Sequence, residues 1–339
     1  MKIQFWFPAA LGVIFPHASS SLALTTTTTS PSCPLTFDGR IPQNFTKATF
    51  ETAQSPFNRK YVLGLNQTWS QVISFPMDVE PSIFDRAAGT KPIEVEITDK
   101  SVFASDSEGH ETALRRAELL VNGKNQTVSG KVSWFFSVRT SPSASHALNL
   151  SHEYLLAFHE AQDFQADFWS LKVGRPMQEA NATNGTAGSH LAAAYGTNIG
   201  FRHPAVSPAM LETGSVIYLQ GYKWAQPIQT YFLAPFTPHI WHNFGLYLDF
   251  ESNHMQVAYS TGSRHLDIVT PLLPNNISGI APTTLGETHW GLQKRPVGAS
   301  LQDFLFKGEQ PHGIHERLAI GGVLQVKGSL RDCVGAWGA

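Results

Sequence analysis

Short runs of alternating apolar and polar residues, repeated along nearly the whole chain and never replaced by a helical period, are what most restrict this fold. The alternation is plain in Ile93-Glu94-Val95-Glu96-Ile97, in Phe244-Gly245-Leu246-Tyr247-Leu248-Asp249-Phe250 and in Met255-Gln256-Val257-Ala258-Tyr259. In an extended strand successive side chains point to opposite faces, so each run reads as a strand with one face on a core. Further candidate strands are 132–138, 154–159, 168–173, 216–219, 288–293 and 318–326. Turn residues separate them, among them Asn122-Gly123, Glu251-Ser252-Asn253 and Thr261-Gly262. Many strands joined by short turns, with no helices between, predict an all-β antiparallel sandwich or barrel. No internal repeat and no domain boundary interrupts it, and residues 174–208, rich in Asn, Ala, Gly and Thr, read as a long surface loop.

Two strands carry ionisable groups among aliphatic neighbours. In Leu114-Arg115-Arg116-Ala117-Glu118-Leu119-Leu120, parity puts Ala117, Leu119 and Val121 on one face and Arg116 and Glu118 on the other. That describes an inner face packing a core and an outer face lining a wet, charged groove; an exposed surface ion pair is the alternative. In Ser151-His152-Glu153-Tyr154-Leu155-Leu156 the same parity groups Glu153 with Leu155, Ala157 and His159. Tyr154, Leu156 and Phe158 then form the core side, and Glu160 falls with them unless a bulge reverses the phase.

The ends of the chain differ from its body. Lys2, the apolar residues 3–15 and the small residues of Ser21-Leu22-Ala23 fit a signal peptide over residues 1–23. A Ser/Thr/Pro-rich linker follows over 24–32, then the predicted domain over 33–327 and a short Gly-rich tail over 328–339. Sequons occur at Asn44, Asn66, Asn125, Asn149, Asn181, Asn184 and Asn276, as expected of a secreted glycoprotein. Cys33 and Cys333 are candidates for one disulfide tying the ends together; two separate thiols are the alternative. A net charge of -2 gives no compositional argument for nucleic acid, and no run of about 20 apolar residues suggests a membrane span.

Paired carboxylates are the chemistry that cleaves glycosidic bonds. Glu118 leads, because Arg116 on the same face can hold its rotamer and lower its pKa, which suits a base. Glu153 is the second candidate and a rim salt bridge its bland reading. In Trp241-His242-Asn243, His242 is in phase with Phe244 and Leu246, so it is either a buried core histidine or a substrate contact. Flat rings hold the apolar face of a sugar. Trp169, Trp224, Trp241, Trp290 and Tyr247 were the candidates, with Trp241 and Tyr247 on the non-core phase of their strand. Lys294 and Arg295 suit a groove edge, while Asp99 and Asp163 sit in turn-like text. No Gly-X-Ser-X-Gly element, phosphate loop or dinucleotide fingerprint is present, and His312-Gly313-Ile314-His315 is too weak a pattern to claim a metal.

Taken in order, several segments resemble glycoside hydrolase family 131, secreted fungal β-glucanases. They are Cys33-Pro34-Leu35-Thr36-Phe37-Asp38-Gly39-Arg40-Ile41-Pro42, Lys91-Pro92-Ile93-Glu94-Val95 and Arg115-Arg116-Ala117-Glu118-Leu119. Leu150-Ser151-His152-Glu153-Tyr154, Trp241-His242-Asn243-Phe244 and Gly291-Leu292-Gln293-Lys294-Arg295-Pro296 complete the set. The resemblance implies a β-jelly-roll of two antiparallel sheets with an open concave cleft, and hydrolysis of β-1,3, β-1,6 and β-1,4 glucans by a monomer without cofactor or metal. It implies Glu118 and Glu153 as the catalytic pair, with Glu160 as the fallback for the second position. Arg116, His152, Tyr154, Trp241, His242, Asn243, Tyr247 and Lys294 would contact substrate. Two other classes fit the same scaffold. A polysaccharide lyase would cast Arg116, His152, Tyr154 and His242 around a uronic acid, and a glucan-binding protein would hold sugar without cleaving it.

Overall fold

A computed structural model describes residues 33–104, 110–122, 125–164, 166–177, 204–225, 227–277 and 286–337. The expected loop 174–208, Asn181, Asn184 and residues 1–32 fall largely or wholly outside these. In chain order the strands are β1 (Leu35–Asp38), β2 (Ile41–Pro42), β3 (Phe57–Asn58), β4 (Ile73–Ser74), β5 (Thr90–Lys91), β6 (Ile93–Thr98) and β7 (Val102–Ala104). There follow β8 (Glu111–Val121), β9 (Lys131–Thr140), β10 (Glu153–Glu160), β11 (Asp167–Gly174), β12 (Val216–Gln220) and β13 (Thr230–Pro235). The last are β14 (His242–Asp249), β15 (His254–Thr261), β16 (Asp267–Ile268), β17 (Leu273–Pro274), β18 (Glu287–Lys294) and β19 (His315–Lys327).

Apart from β2 and β5, which pair only with each other, they build two antiparallel sheets, as the alternation demands. One runs β16-β15-β14-β9-β19-β6-β4, with β1 on β19 and β17 on β15; the other runs β13-β12-β11-β10-β18-β8-β3, with β7 on β8. Neighbours such as β9 and β19 are far apart in sequence, the crossing pattern of a jelly roll. Inward-facing residues of both sheets interlock between them. Trp134 on β9 meets Trp290 on β18 at 4.6 Å between ring centroids, and Phe136 stacks on Phe244 at 5.5 Å. Truncating either tryptophan to alanine would cost about 3–5 kcal/mol through the cavity it leaves.

Ala117, Leu119 and Val121 belong to this core, as parity predicts. The outer face of the first sheet is covered in its turn. Helices Ile83–Ala88 and Leu330–Trp337 lie over it, packing Phe84 and Leu330 with Phe135, Tyr247 and Val326. The second helix occupies what reads in the sequence as a Gly-rich tail. Its Cys333 is bonded to Cys33, so the bridge joins the two ends of the domain. The sequon residues Asn44, Asn66, Asn125, Asn149 and Asn276 are all exposed. No helix among the described residues is long and apolar enough to cross a membrane.

Candidate active site

The outer face of the second sheet carries the ionisable residues, and a bulge in β10 decides which of them meet. Pairing with β11 runs Leu155 to Lys172 and then Ala157 to Leu171, so β10 holds one extra residue there. Leu156 and Ala157 both turn into the core, and the phase beyond them is reversed. Phe158 and Glu160 therefore face out with Glu153 and Leu155. His159 faces in, bonded to Thr288 Oγ1 at 3.0 Å and beside Phe168 and Phe250. The uninterrupted parity read from the sequence fails at this point. Two glycines let the strands close up around it. A Cβ at Gly291, which lies opposite Glu118 with φ 151°, would collide with the Ala117 carbonyl, and one at Gly286 with the Glu160 carbonyl.

The bulge delivers Glu160 to a cluster built on Glu118. Arg116 Nη2 donates to Glu118 Oε2 at 2.6 Å, His289 Nδ1 reaches the same oxygen at 2.9 Å, and Gln293 Nε2 donates to Oε1 at 3.3 Å. The far nitrogen of His289 lies 3.3 Å from Glu287 and 3.9 Å from Glu160. Phe158 holds the imidazole flat, stacked at 4.5 Å and 6° from parallel, and Phe103 backs the Arg116 guanidinium at 4.6 Å. Tyr61 donates its hydroxyl to Glu287. Glu118 lies under the surface, whereas the side chains of Glu160 and Glu287 are 21% and 23% exposed.

These surroundings split the protonation states. Burial pushes Glu160 up to about 7, against the partial opposition of His289. Burial also opposes charge on Glu118, but Arg116 and His289 outweigh it and hold that carboxyl below its ordinary range. Burial would strip the proton from His289; its contacts to Glu118 and Glu287 prevail and raise it to about 9. Glu287, buried less, is brought below its usual value mainly by His289 and Tyr61. At neutral pH the cluster is thus an imidazolium among two carboxylates and one carboxyl that retains a share of its proton. Glu160, Glu287 and His289 have ligand atoms within 4.8 Å of one another. A metal there would have to displace the His289 proton, since only neutral imidazole coordinates.

Glu153 lies elsewhere on the same face, in a second cluster. Arg295 Nη1 bonds its Oε1, Lys172 stands 3.7 Å from that oxygen, and Tyr218 Oη and Met177 N donate to Oε2 at 2.8 and 3.1 Å. Burial opposes its charge, yet the two cations and these donors bring Glu153 down to about 2. It is 3% exposed and fully engaged.

Of the other expected substrate contacts, only Arg116 stands with Glu118. His152 is buried with Nδ1 on the Arg295 carbonyl at 2.8 Å. Tyr154 and Lys294 point between the sheets, both bonded to Glu316. Trp241, His242, Asn243 and Tyr247 belong to the opposite sheet. Trp241 donates to the Glu80 carbonyl at 2.8 Å, and Tyr247 packs under the terminal helix. His242 is a core residue bonded to Tyr259 at 2.8 Å and lowered to about 4 by burial, while Asn243 is tied to Ser137 and Ser260. The non-core phase of β14 is real, but it faces the covering helices and not a cleft. The constellation a lyase would need is likewise dispersed. Sequence reasoning missed His289 and Glu287; the signal was the parity of β18, which puts both opposite the core residue Trp290.

The glycoside hydrolase 131 catalytic N-terminal domain matches residues 35–202 and 210–327. Among solved structures, the chain is similar to a GH131 β-glucanase catalytic domain from Podospora anserina. The TM-score is 0.58 at 17% identity, over 87% of this chain and 97% of that one. It is similar also to the catalytic domain of a family 131 protein from Coprinopsis cinerea, with a TM-score of 0.53 at 17% identity, over 87% and 95%. No curated protein sequence matches.

Proposed function

Because the chain belongs to glycoside hydrolase family 131, we propose that it hydrolyses β-glucans with Glu160 as general acid and Glu118 as general base. The observation that carries the assignment is the pair of carboxyl groups on either side of His289, one near 7 and partly protonated, the other held ionised. Two carboxyls pushed apart in this way are what acid–base cleavage requires. β-Glucan as substrate is supported by the similar β-glucanase domain of Podospora anserina.

The imidazole of His289 stands between the two carboxyls, 2.9 Å from Glu118 and 3.9 Å from Glu160, and we read this as the wider arrangement that leaves room for a water. Glu160 gives its proton to the glycosidic oxygen as the C1–O bond breaks. A water attacks C1 from the opposite side and loses its proton to Glu118 Oε1, which otherwise accepts one long bond from Gln293. The product carries the inverted anomeric configuration. His289 and Arg116 keep Glu118 ionised until it takes this proton, which then passes to solvent. The exposed sequons and the Cys33–Cys333 bridge support export of the protein as a secreted glycoprotein acting outside the cell.

The decisive experiment is product analysis on linkage-defined β-1,3, β-1,4 and β-1,6 glucans with the parent, Glu160→Gln and Glu118→Gln. Loss of reducing-sugar release in both variants, with proton NMR showing inversion in the parent, is expected. Full activity in either variant would remove that residue from the pair.

A further inference from the structure

Beside the carboxylates stand two aromatic residues whose position is costly. Tyr61 and Phe164 both have left-handed backbones, with φ 42° and 59°. Bulky side chains are rarely found there, and strain of this kind persists where the surroundings hold it and function gains from it. Both rings also face water, at 48% and 54% exposure, although burial is what normally rewards an aromatic side chain. The two come from separate segments, Tyr61 just after β3 and Phe164 in the turn between β10 and β11. They nonetheless meet edge to face, 5.8 Å between centroids. Tyr61 is fixed from behind by its hydroxyl on Glu287 at 2.7 and 2.8 Å. Phe164 is four residues beyond Glu160 on the same hairpin.

We infer that Tyr61 and Phe164 form a sugar-stacking platform, the subsite for the glucosyl unit on the leaving-group side of the scissile bond. Three features point there together. The rings form an exposed apolar wall where β10 ends and β18 begins, next to the proposed proton donor. A pyranose offers C–H faces to such a wall while its hydroxyls remain free for Glu287 and water. The Tyr61 hydroxyl couples the wall to the carboxylate cluster, so that a sugar seated on it is placed relative to Glu160. The inference rests on the hydrolase reading above for its orientation, but the platform itself is tested by binding alone.

Calorimetric titration with laminarihexaose and cellohexaose, in the Glu160→Gln background, separates the two. Adding Phe164→Gly should weaken binding of at least one hexasaccharide about three- to tenfold, the scale of one aromatic contact. The same change should leave thermal stability equal or higher, because glycine adopts φ 59° without strain. Tyr61→Phe keeps the ring and should bind as the parent does. In the active enzyme it should shift the pH profile of hydrolysis, since Glu287 loses a hydrogen bond. Unchanged hexasaccharide binding in Phe164→Gly and Tyr61→Ala, or no binding in the Glu160→Gln parent, would overturn the platform. Hydrolysis retained by Glu160→Gln would overturn the acid assignment and leave the binding result to stand by itself.

Discussion

Glu118 and Glu153 sit on one face of one sheet, each beside an arginine, and their surroundings have made them different things. Glu153 has two cations and two neutral donors around it, and both of its oxygens are engaged. Glu118 shares its cations with neighbours of its own sign. His289, which bonds it, also faces Glu160 and Glu287. Three carboxyl groups around one imidazolium cannot all be ionised cheaply, so one of them keeps a proton near neutral pH. A carboxylate with every lone pair engaged pins strands together. A cluster short of positive charge is primed to move a proton. Counting partners thus distinguishes the two carboxylates where proximity to arginine does not.

The largest contrast is therefore in rate. Glu160→Gln and Glu118→Gln should each lower kcat on β-glucan by about 10²–10⁴, the usual value of a positioned acid or base. Glu160→Gln should melt close to the parent, whereas Glu118→Gln, which leaves the buried Arg116 and His289 short of countercharge, should melt lower. Glu153→Gln should do the reverse of Glu160→Gln. It removes the main countercharge of the buried Arg295 and Lys172, leaving Asp167 3.7 Å from Arg295, a loss of about 3 kcal/mol, read as a lower denaturant midpoint. The protein that remains folded should keep kcat within a few-fold. A rate loss in Glu153→Gln comparable to that in Glu160→Gln would merge the two clusters into one site.

Much of this was legible beforehand, for a physical reason. The two-residue repeat of a strand is strict, so sheet faces, the core residues of β8 and the Arg116–Glu118 pair follow from parity alone. What parity cannot supply is a phase break. Leu156 and Ala157 are both apolar, so the extra residue after Leu155 leaves no mark in the pattern, and parity alone puts Glu160 on the core side. Nor does parity say what covers a face. Trp241 and Tyr247 are on the outer phase of their strands, as read, but the Cys33–Cys333 bridge and the helix Leu330–Trp337 belong to that side of the sandwich. His289 carries no signal of its own in the sequence, because its carboxylate partners lie on three different strands.

The pH dependence sharpens the comparison further. On the proposed assignment, hydrolysis uses a protonated Glu160 and an ionised Glu118. Activity should then fall as pH rises through about 7 and fall again at acid pH where Glu118 gains its proton. Stability follows the other cluster. Glu153 has a folded pKa of about 2 against an ordinary 4.5, so its contribution is complete above that ordinary value and is lost as pH falls toward 2. His289 has the opposite sign, with full stabilisation below about 6.5 and loss as pH rises through about 9. Between pH 7 and 8 the rate should decline while the Glu153 contribution stays complete and only that of His289 is being lost, so in a His289→Gln variant the denaturation midpoint should become flat across this interval. In Glu160→Gln any residual rate should lose its alkaline limb.

The smallest effect expected is also the one that tests whether the cleft lies on the second sheet only. Tyr247 was a strong aromatic candidate by phase, yet its ring packs with Phe135 and Leu330 on the outer face of the first sheet. A sugar bound there would have the whole sandwich between itself and Glu160. Tyr247→Phe keeps that packing and removes only the hydroxyl, whose proton is held up to about 12 by burial and the nearby Asp249. The change should move stability by no more than about 1 kcal/mol and leave kcat/KM on every glucan unchanged. A rise in KM would mean that glucan also engages the first sheet, and the division between a binding face and a covered face would fail.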